Sequence, residues 1–241
     1  MIVDYIIWSR DEKPGKKLSR ASIKVHLAAI LRFFQINNDD FNLTTRNFRI
    51  HMPSDESIKD DRPYTTEEIG QVLKECDLRS KAIILLLCSS GMRKGALHLL
   101  RINHLVEMNN QHHTFKTRVY AGTHDEYFTF CTPECYNAIQ DYLNYRKRCG
   151  EKLESKSPLI REQFNVDDHI RIQYPRFVSE KGMEHIIDNA LKRSGVRKPR
   201  EVHLSHGFRK FFITQCESSP MKSLHVSMLA GHDTGLKKSL S

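Results

Sequence analysis

The run His206-Gly207-Phe208-Arg209-Lys210-Phe211-Phe212, followed downstream by Gly231-His232 and preceded far upstream by Gly91-Met92-Arg93, carries the most chemistry in this chain. At about 100° per residue, His206 and Arg209 share one helical face, while Phe208, Phe211 and Phe212 fall on the other. One face is expected to pack and the other to present an imidazole and a guanidinium. Gly231 closes the next apolar run and releases His232 into a loop. Arg93 follows a buried-looking helix and a glycine, so it is either a site residue or half of a structural ion pair. Two guanidiniums can grip the non-bridging oxygens of one phosphate, and imidazoles can add donors or move protons. A His-x-x-Arg pair also arises by chance, so spacing alone does not decide the matter.

The 241 residues suit one large domain or two small ones, and 39% hydrophobic content is enough for a core. No apolar run approaches ~18 residues, so no membrane span is expected. The start, Met1-Ile2-Val3-Asp4, lacks a basic region before an apolar stretch, so no signal peptide is expected. A formal charge of +9 and a pI near 9.3 point to a polyanionic partner, nucleic acid first and an anionic membrane surface second. The excess is heaviest in residues 197–241, with eight Lys/Arg against three Asp/Glu. The six cysteines are scattered, which favours reduced thiols in a cytoplasmic protein over a disulfide or zinc framework. His112, His113, His203, His206 and His232 lack carboxylate companions at ligand spacing. A metal-dependent phosphoesterase is therefore the weakest reading, and neither metal nor cofactor is expected.

Ser19 or Ser22 caps a helix carrying Ile23, Leu27, Ile30, Leu31 and Phe34. Its basic face, Arg20, Lys24 and Arg32, reads as solvated or as laid on a DNA backbone. Residues 52–64 are polar, hold two prolines and lack periodicity, so a domain boundary is placed near Asp60. Thr65-x-x-Glu68 is a capping box. Residues 81–88 are apolar nearly all round and predict a central helix ended by Gly91. β-prone runs around Ala121-Gly122-Thr123-His124-Asp125 predict a hairpin. Thr132-Pro133 opens a helix ending in Arg146-Lys147-Arg148, a basic tail that complements the helix dipole. Residues 150–178 read as irregular. Ser179 caps a helix closed by Gly195, and Ser218 or Ser219 with Pro220 starts a last helix turning Met221, Leu224, Met228 and Leu229 inward. Trp8 is expected to pack in the front domain and His225 to lie on the surface.

Four segments together resemble the tyrosine recombinase (phage integrase) family, especially its archaeal branch. They are Asp61-Arg62-Pro63-Tyr64-Thr65-Thr66-Glu67-Glu68-Ile69, Ser90-Gly91-Met92-Arg93, Asp125 to Glu134, and His206 to Phe212 followed by Leu229-Ala230-Gly231-His232. The resemblance implies a mostly α fold with a small β-hairpin or sheet. Residues 1–59 would be part of a helical core-binding domain and residues 60–241 a catalytic domain lacking its C-terminal end. It implies binding of double-stranded DNA, oligomerisation on DNA as a dimer or tetramer, and strand cleavage and rejoining through a 3′-phosphotyrosyl link. Carried over by motif position, Arg93 is the first arginine, His206 and Arg209 are the His-x-x-Arg pair, and His232 is the second histidine. The bond energy stays in the covalent link, so neither ATP nor a metal is implied.

The sequence departs from that pattern at three motif positions, and its front domain is shorter than the family usually has. The family's nucleophilic tyrosine lies shortly after the position of His232, but Gly235-Leu236-Lys237-Lys238-Ser239 is followed here by Leu240-Ser241, and no tyrosine follows Tyr174. The acidic residue often found three positions after the first arginine is Ala96. The hairpin turn has no lysine, which leaves Lys116 on the strand and His124 in the turn as weak candidates for the general acid. The chain then reads as an incomplete or frameshifted integrase, as a catalytically inactive DNA-binding module derived from one, or as a partner of a protomer that supplies the tyrosine. Ser239 and Ser241 are poorer nucleophiles with no base beside them.

Overall fold

The computed structural model describes residues 1–15, 17–38, 40–53, 61–108, 113–198 and 201–232. The chain divides into two units, Met1–Ile58 and Lys59–Ser241. It is mostly helical with one three-stranded antiparallel sheet, as expected. No helix among the described residues is long and apolar enough to cross a membrane.

In the first unit, helix α1 (Ile2–Ile7) runs on into a wider turn at Trp8–Glu12. Helix α2 (Arg20–Asn37) starts at Ser19, whose hydroxyl accepts from the Ser22 amide at 3.3 Å. Ile23, Leu27 and Leu31, one turn apart, meet Ile6 and Phe48 in a small core. Trp8 is 42% exposed and touches Tyr5 at a ring separation of 6.3 Å, so it is not the packing residue the sequence suggested. The core of the unit is instead Ile6, Ile23, Leu27, Leu31 and Phe48, with Ile2, Val3, Leu18, Phe41 and Met52 packed against it, and Trp8 lies outside it. Arg20, Lys24, Thr45, Arg46, Arg49 and Met52 line a cavity of about 260 Å³.

In the second unit, helix α3 (Thr66–Lys74) begins with the reciprocal Thr65–Glu68 capping box. Asp77 caps α4 (Leu78–Ser90), which is buried through Ile83, Ile84, Leu86 and Leu87 and packs against the helices described next. A short turn, α5 (Lys94–Leu97), leads to strands β1 (Leu105–Met108), β2 (Thr114–Val119) and β3 (Tyr127–Phe130), ordered β1-β2-β3. The hairpin falls where it was expected, with Val119 opposite Tyr127 and Lys116 opposite Phe130. β1 was not anticipated, since it draws its pairing from β2 rather than from its own pattern.

Thr132 caps α6 (Pro133–Arg148). Arg146 is not a solvated complement to the helix dipole. It is fully buried and pairs with Glu151, which also takes Arg161 at 2.6 Å, while Arg146 donates to the carbonyls of Pro158 and Leu159. Residues 150–178 are therefore irregular but tied down, with one short helix, α7 (His169–Gln173). Helix α8 (Glu180–Arg193), capped by Ser179, precedes α9 (His206–Glu217) and α10 (Ser223–Leu229). The last helix starts later than expected, and Met221, Leu224 and Met228 face outward at 38–49% exposure, while Val226 and Ala230 face in.

Candidate phosphate-binding site

The site is built where α4 ends, α9 begins and α10 stops. Gly91 ends α4 in the left-handed region, φ +62°, and its missing side chain admits the Phe212 ring: a Cβ there would fall 2.2 Å from a ring carbon. The chain then turns so that Arg93 stands at the start of α5 with its side chain exposed. Gly231 repeats the device at φ +68°, where a Cβ would fall 2.4 Å from the Tyr127 ring. Tyr64 stacks on Phe208 with centroids 4.4 Å apart and donates to the Leu204 carbonyl at 3.1 Å, which fixes the entry into α9. Lys210 pairs with Asp61 at 2.8 Å on the same side.

Arg209 differs from the expected picture of a solvent-facing helical stripe. It is 3% exposed and lies with Phe208 and Phe212 on the buried side of α9. Its Nη1 donates to the carbonyls of Gly91 at 2.6 Å and Ala230 at 2.5 Å. Arg93 Nη1 donates to the Gly231 carbonyl at 3.2 Å. Two guanidiniums are thus anchored on consecutive carbonyls of one turn, and His232 is the next residue. His206, exposed, opens α9 one turn before Arg209. His203 meets it edge-on at 6.2 Å.

The electrostatics agree with this convergence. Burial holds the Arg209 guanidinium below its ordinary value, and the charge of Arg93 pushes the same way. The His232 imidazole is lowered first by burial and then by Arg209, Arg93 and His206. The His206 imidazole is lowered by burial, with Asp61 acting in the opposite direction. Among the described residues no carboxylate pairs with Arg93 or Arg209. Like charges gathered without a counter-charge repel one another, and an anion in the turn relieves that repulsion. Arg93 and Arg209 thus meet at one turn, with His232 the next residue and His206 at the start of the helix that carries Arg209.

The other expected participants stand apart. Lys116 lies on the outer face of the sheet with its Nζ 4.2 Å from the Phe128 ring centre. His124 is 97% exposed at the hairpin turn, 3.5 Å from Asp125. Ala96, buried, brings no carboxylate. Ser239 and Ser241 lie outside the described residues. Tyr127 was missed: strand alternation places it inward, but no local pattern names Arg209 as its neighbour. No group of three or more His, Cys, Asp or Glu among the described residues is arranged to hold a metal, and all six cysteines are free thiols.

No family model matches the sequence, and no curated protein matches it. Solved structures do. XerH recombinase bound to its difH substrate, in a pre-cleavage complex, superposes with a TM-score of 0.67 at 14% identity, over 99% of this chain and 65% of that one. A λ integrase dimer bound to a COC′ core site gives 0.65 at 14% identity, over 97% and 78%. XerA recombinase gives 0.58 at 18% identity, over 99% and 75%. The chain thus spans about two thirds of the length of XerH. At these identities the likeness establishes architecture, and the architecture of this chain is that of the tyrosine-recombinase catalytic domain.

Proposed function

We propose that this chain belongs to the tyrosine recombinase family, that it binds duplex DNA, and that it grips the scissile phosphate for strand cleavage and rejoining through a phosphotyrosyl link. One observation carries the reading: Arg93 and Arg209 are anchored on adjacent carbonyls of the Ala230-Gly231 turn, beside His232 and, among the described residues, without a carboxylate partner. In these roles Arg93 and Arg209 hold the non-bridging oxygens, while His206 and His232 stabilise the pentacoordinate state and handle protons. The likeness to XerH and λ integrase structures bound to DNA supports the reading that the chain binds duplex DNA. Membership of the archaeal branch is part of this proposal and rests on the four sequence segments, with Gly235-Leu236-Lys237-Lys238-Ser239 matching the Gly-Leu-x-x-Ser that precedes Tyr-Tyr in that branch's pattern. Oligomerisation on DNA, a cytoplasmic setting, and a division into a core-binding unit (1–59) and a catalytic unit (60–241) belong to this proposal. The basic cavity at Arg20, Lys24, Arg46 and Arg49 supplies the first unit with a surface for backbone phosphates.

The 241 residues hold no tyrosine after Tyr174. The nucleophile must then come from outside them, and strand cleavage by these residues alone is expected to fail. The test is binding of a labelled 40-base-pair duplex across a salt series, with Arg93→Ala and Arg209→Ala. Affinity should fall linearly with log salt, and the slope should drop by about 1 for Arg93→Ala. Unchanged affinity and slope in both variants would favour a DNA-binding module in which these arginines hold no phosphate.

A further inference from the structure

Tyr127 opens β3 and lies directly beneath the turn that carries His232. Its ring is the floor under Gly231, which has no room for a side chain there. Tyr127 is 7% exposed, and its hydroxyl has no hydrogen-bond partner among the described residues. Nη2 of Arg209 has none either, although Nη1 of the same guanidinium serves two carbonyls. Buried polar atoms without partners are rare and call for an explanation. Here both border the same turn: the Tyr127 ring lies under Gly231, and Arg209 Nη1 donates to the carbonyl of Ala230. Hydrogen bonds at a binding site often align only when the ligand is present.

We propose that Tyr127 is a positioning residue for Arg209: once a phosphate occupies the turn, Tyr127 Oη accepts a hydrogen bond from Arg209 Nη2 and fixes the plane of the guanidinium. This rests on the reading that the site binds phosphate. With Nη1 on the Gly91 and Ala230 carbonyls and one N–H of Nη2 on Tyr127, the Nε–H and the second Nη2–H form the parallel pair that suits two phosphate oxygens. The hydroxyl is closed off from solvent, so it is not placed to attack a phosphodiester itself.

The experiment is calorimetric titration of the full chain with inorganic phosphate. Tyr127→Phe keeps the ring beneath Gly231 and should weaken binding about tenfold, the effect of one hydrogen bond to a charged group. In an Arg93→Ala background the tenfold loss should persist. In an Arg209→Lys background, which has no Nη2, the same change should alter affinity less than about twofold. A tenfold loss in the Arg209→Lys background, or no loss in the wild-type background, overturns the proposal. Phosphate affinity unmoved by either Arg93→Ala or Arg209→Lys instead overturns the phosphate reading beneath it. Should Tyr127→Phe not fold, ¹⁹F NMR of the wild-type chain carrying 3-fluorotyrosine reads the same contact. The Tyr127 resonance should move with phosphate saturation, and a resonance that stays put overturns the proposal.

Discussion

Replacing Gly91 by alanine should destabilise the second unit through two separable effects. A side chain in the left-handed region at φ +62° costs about 1–2 kcal/mol. The new Cβ would also fall 2.2 Å from one carbon of the Phe212 ring and within 2.9 Å of two more, well inside ordinary contact. Phe212 is buried, so relief requires the ring or α9 to shift, an overpacking cost of about 1–3 kcal/mol. The sum, about 2–5 kcal/mol, is a large part of a stability of about 5–15 kcal/mol. For a unit of this size it corresponds to a fall in thermal midpoint of about 5–15 °C. Gly122→Ala is the control, because Gly122 has φ +79° but nothing within 4 Å of its Cβ position. It should lose only the backbone cost. Circular dichroism melts of both variants, with Gly91→Ala/Phe212→Leu as a third, measure the difference. The reasoning is refuted if Gly91→Ala melts with Gly122→Ala, or if shrinking Phe212 recovers nothing.

Glu151→Gln should cost about 3–5 kcal/mol, because Arg146 and Arg161 would be left buried with no counter-charge; Arg118→Ala, which breaks a largely exposed pair with Glu126, should cost under about 1 kcal/mol in the same urea titration. Burial lowers the imidazoles of His206 and His232 below their ordinary value of 6.5. The unfolded chain therefore binds more protons than the folded one just below pH 6.5, and stability should decline as pH falls through 6.5 and level off above it. His206→Gln/His232→Gln should flatten that decline. A bound anion raises both imidazoles again, so sulfate, which does not titrate in this range, should bind more tightly at pH 6 than at pH 8 with proton uptake, measured by calorimetry in buffers of different ionisation enthalpy.

Much of the fold is legible residue by residue because its signals are local. Ser19, Thr65, Thr132 and Ser179 each accept a backbone N–H at a helix start, and Gly91, Gly195 and Gly231 each take positive φ after a helix end. The hairpin follows from alternation on β2 and β3. What escaped the sequence depends on partners distant along the chain. Arg146 reads as a helix tail until Glu151 and Arg161 are seen to enclose it. Arg209 has the right spacing from His206, yet its burial comes from carbonyls at Gly91 and Ala230, which no helical wheel contains. The outward face of α10 likewise reverses an expectation drawn from apolar spacing alone. Tyr127 looks like an ordinary inward strand residue until its ring is found under Gly231, with no partner for its hydroxyl among the described residues.

The central claim is that one anion is shared by residues far apart in the chain. Side-chain NMR of the ¹⁵N-labelled full chain, titrated with inorganic phosphate, tests it most directly. Arg93, Arg209, His206 and His232 should shift along one common saturation curve, with Arg118, paired to Glu126 on the sheet, unmoved. Separate curves for Arg93 and Arg209, or shifts no larger than that of Arg118, would contradict a shared phosphate site.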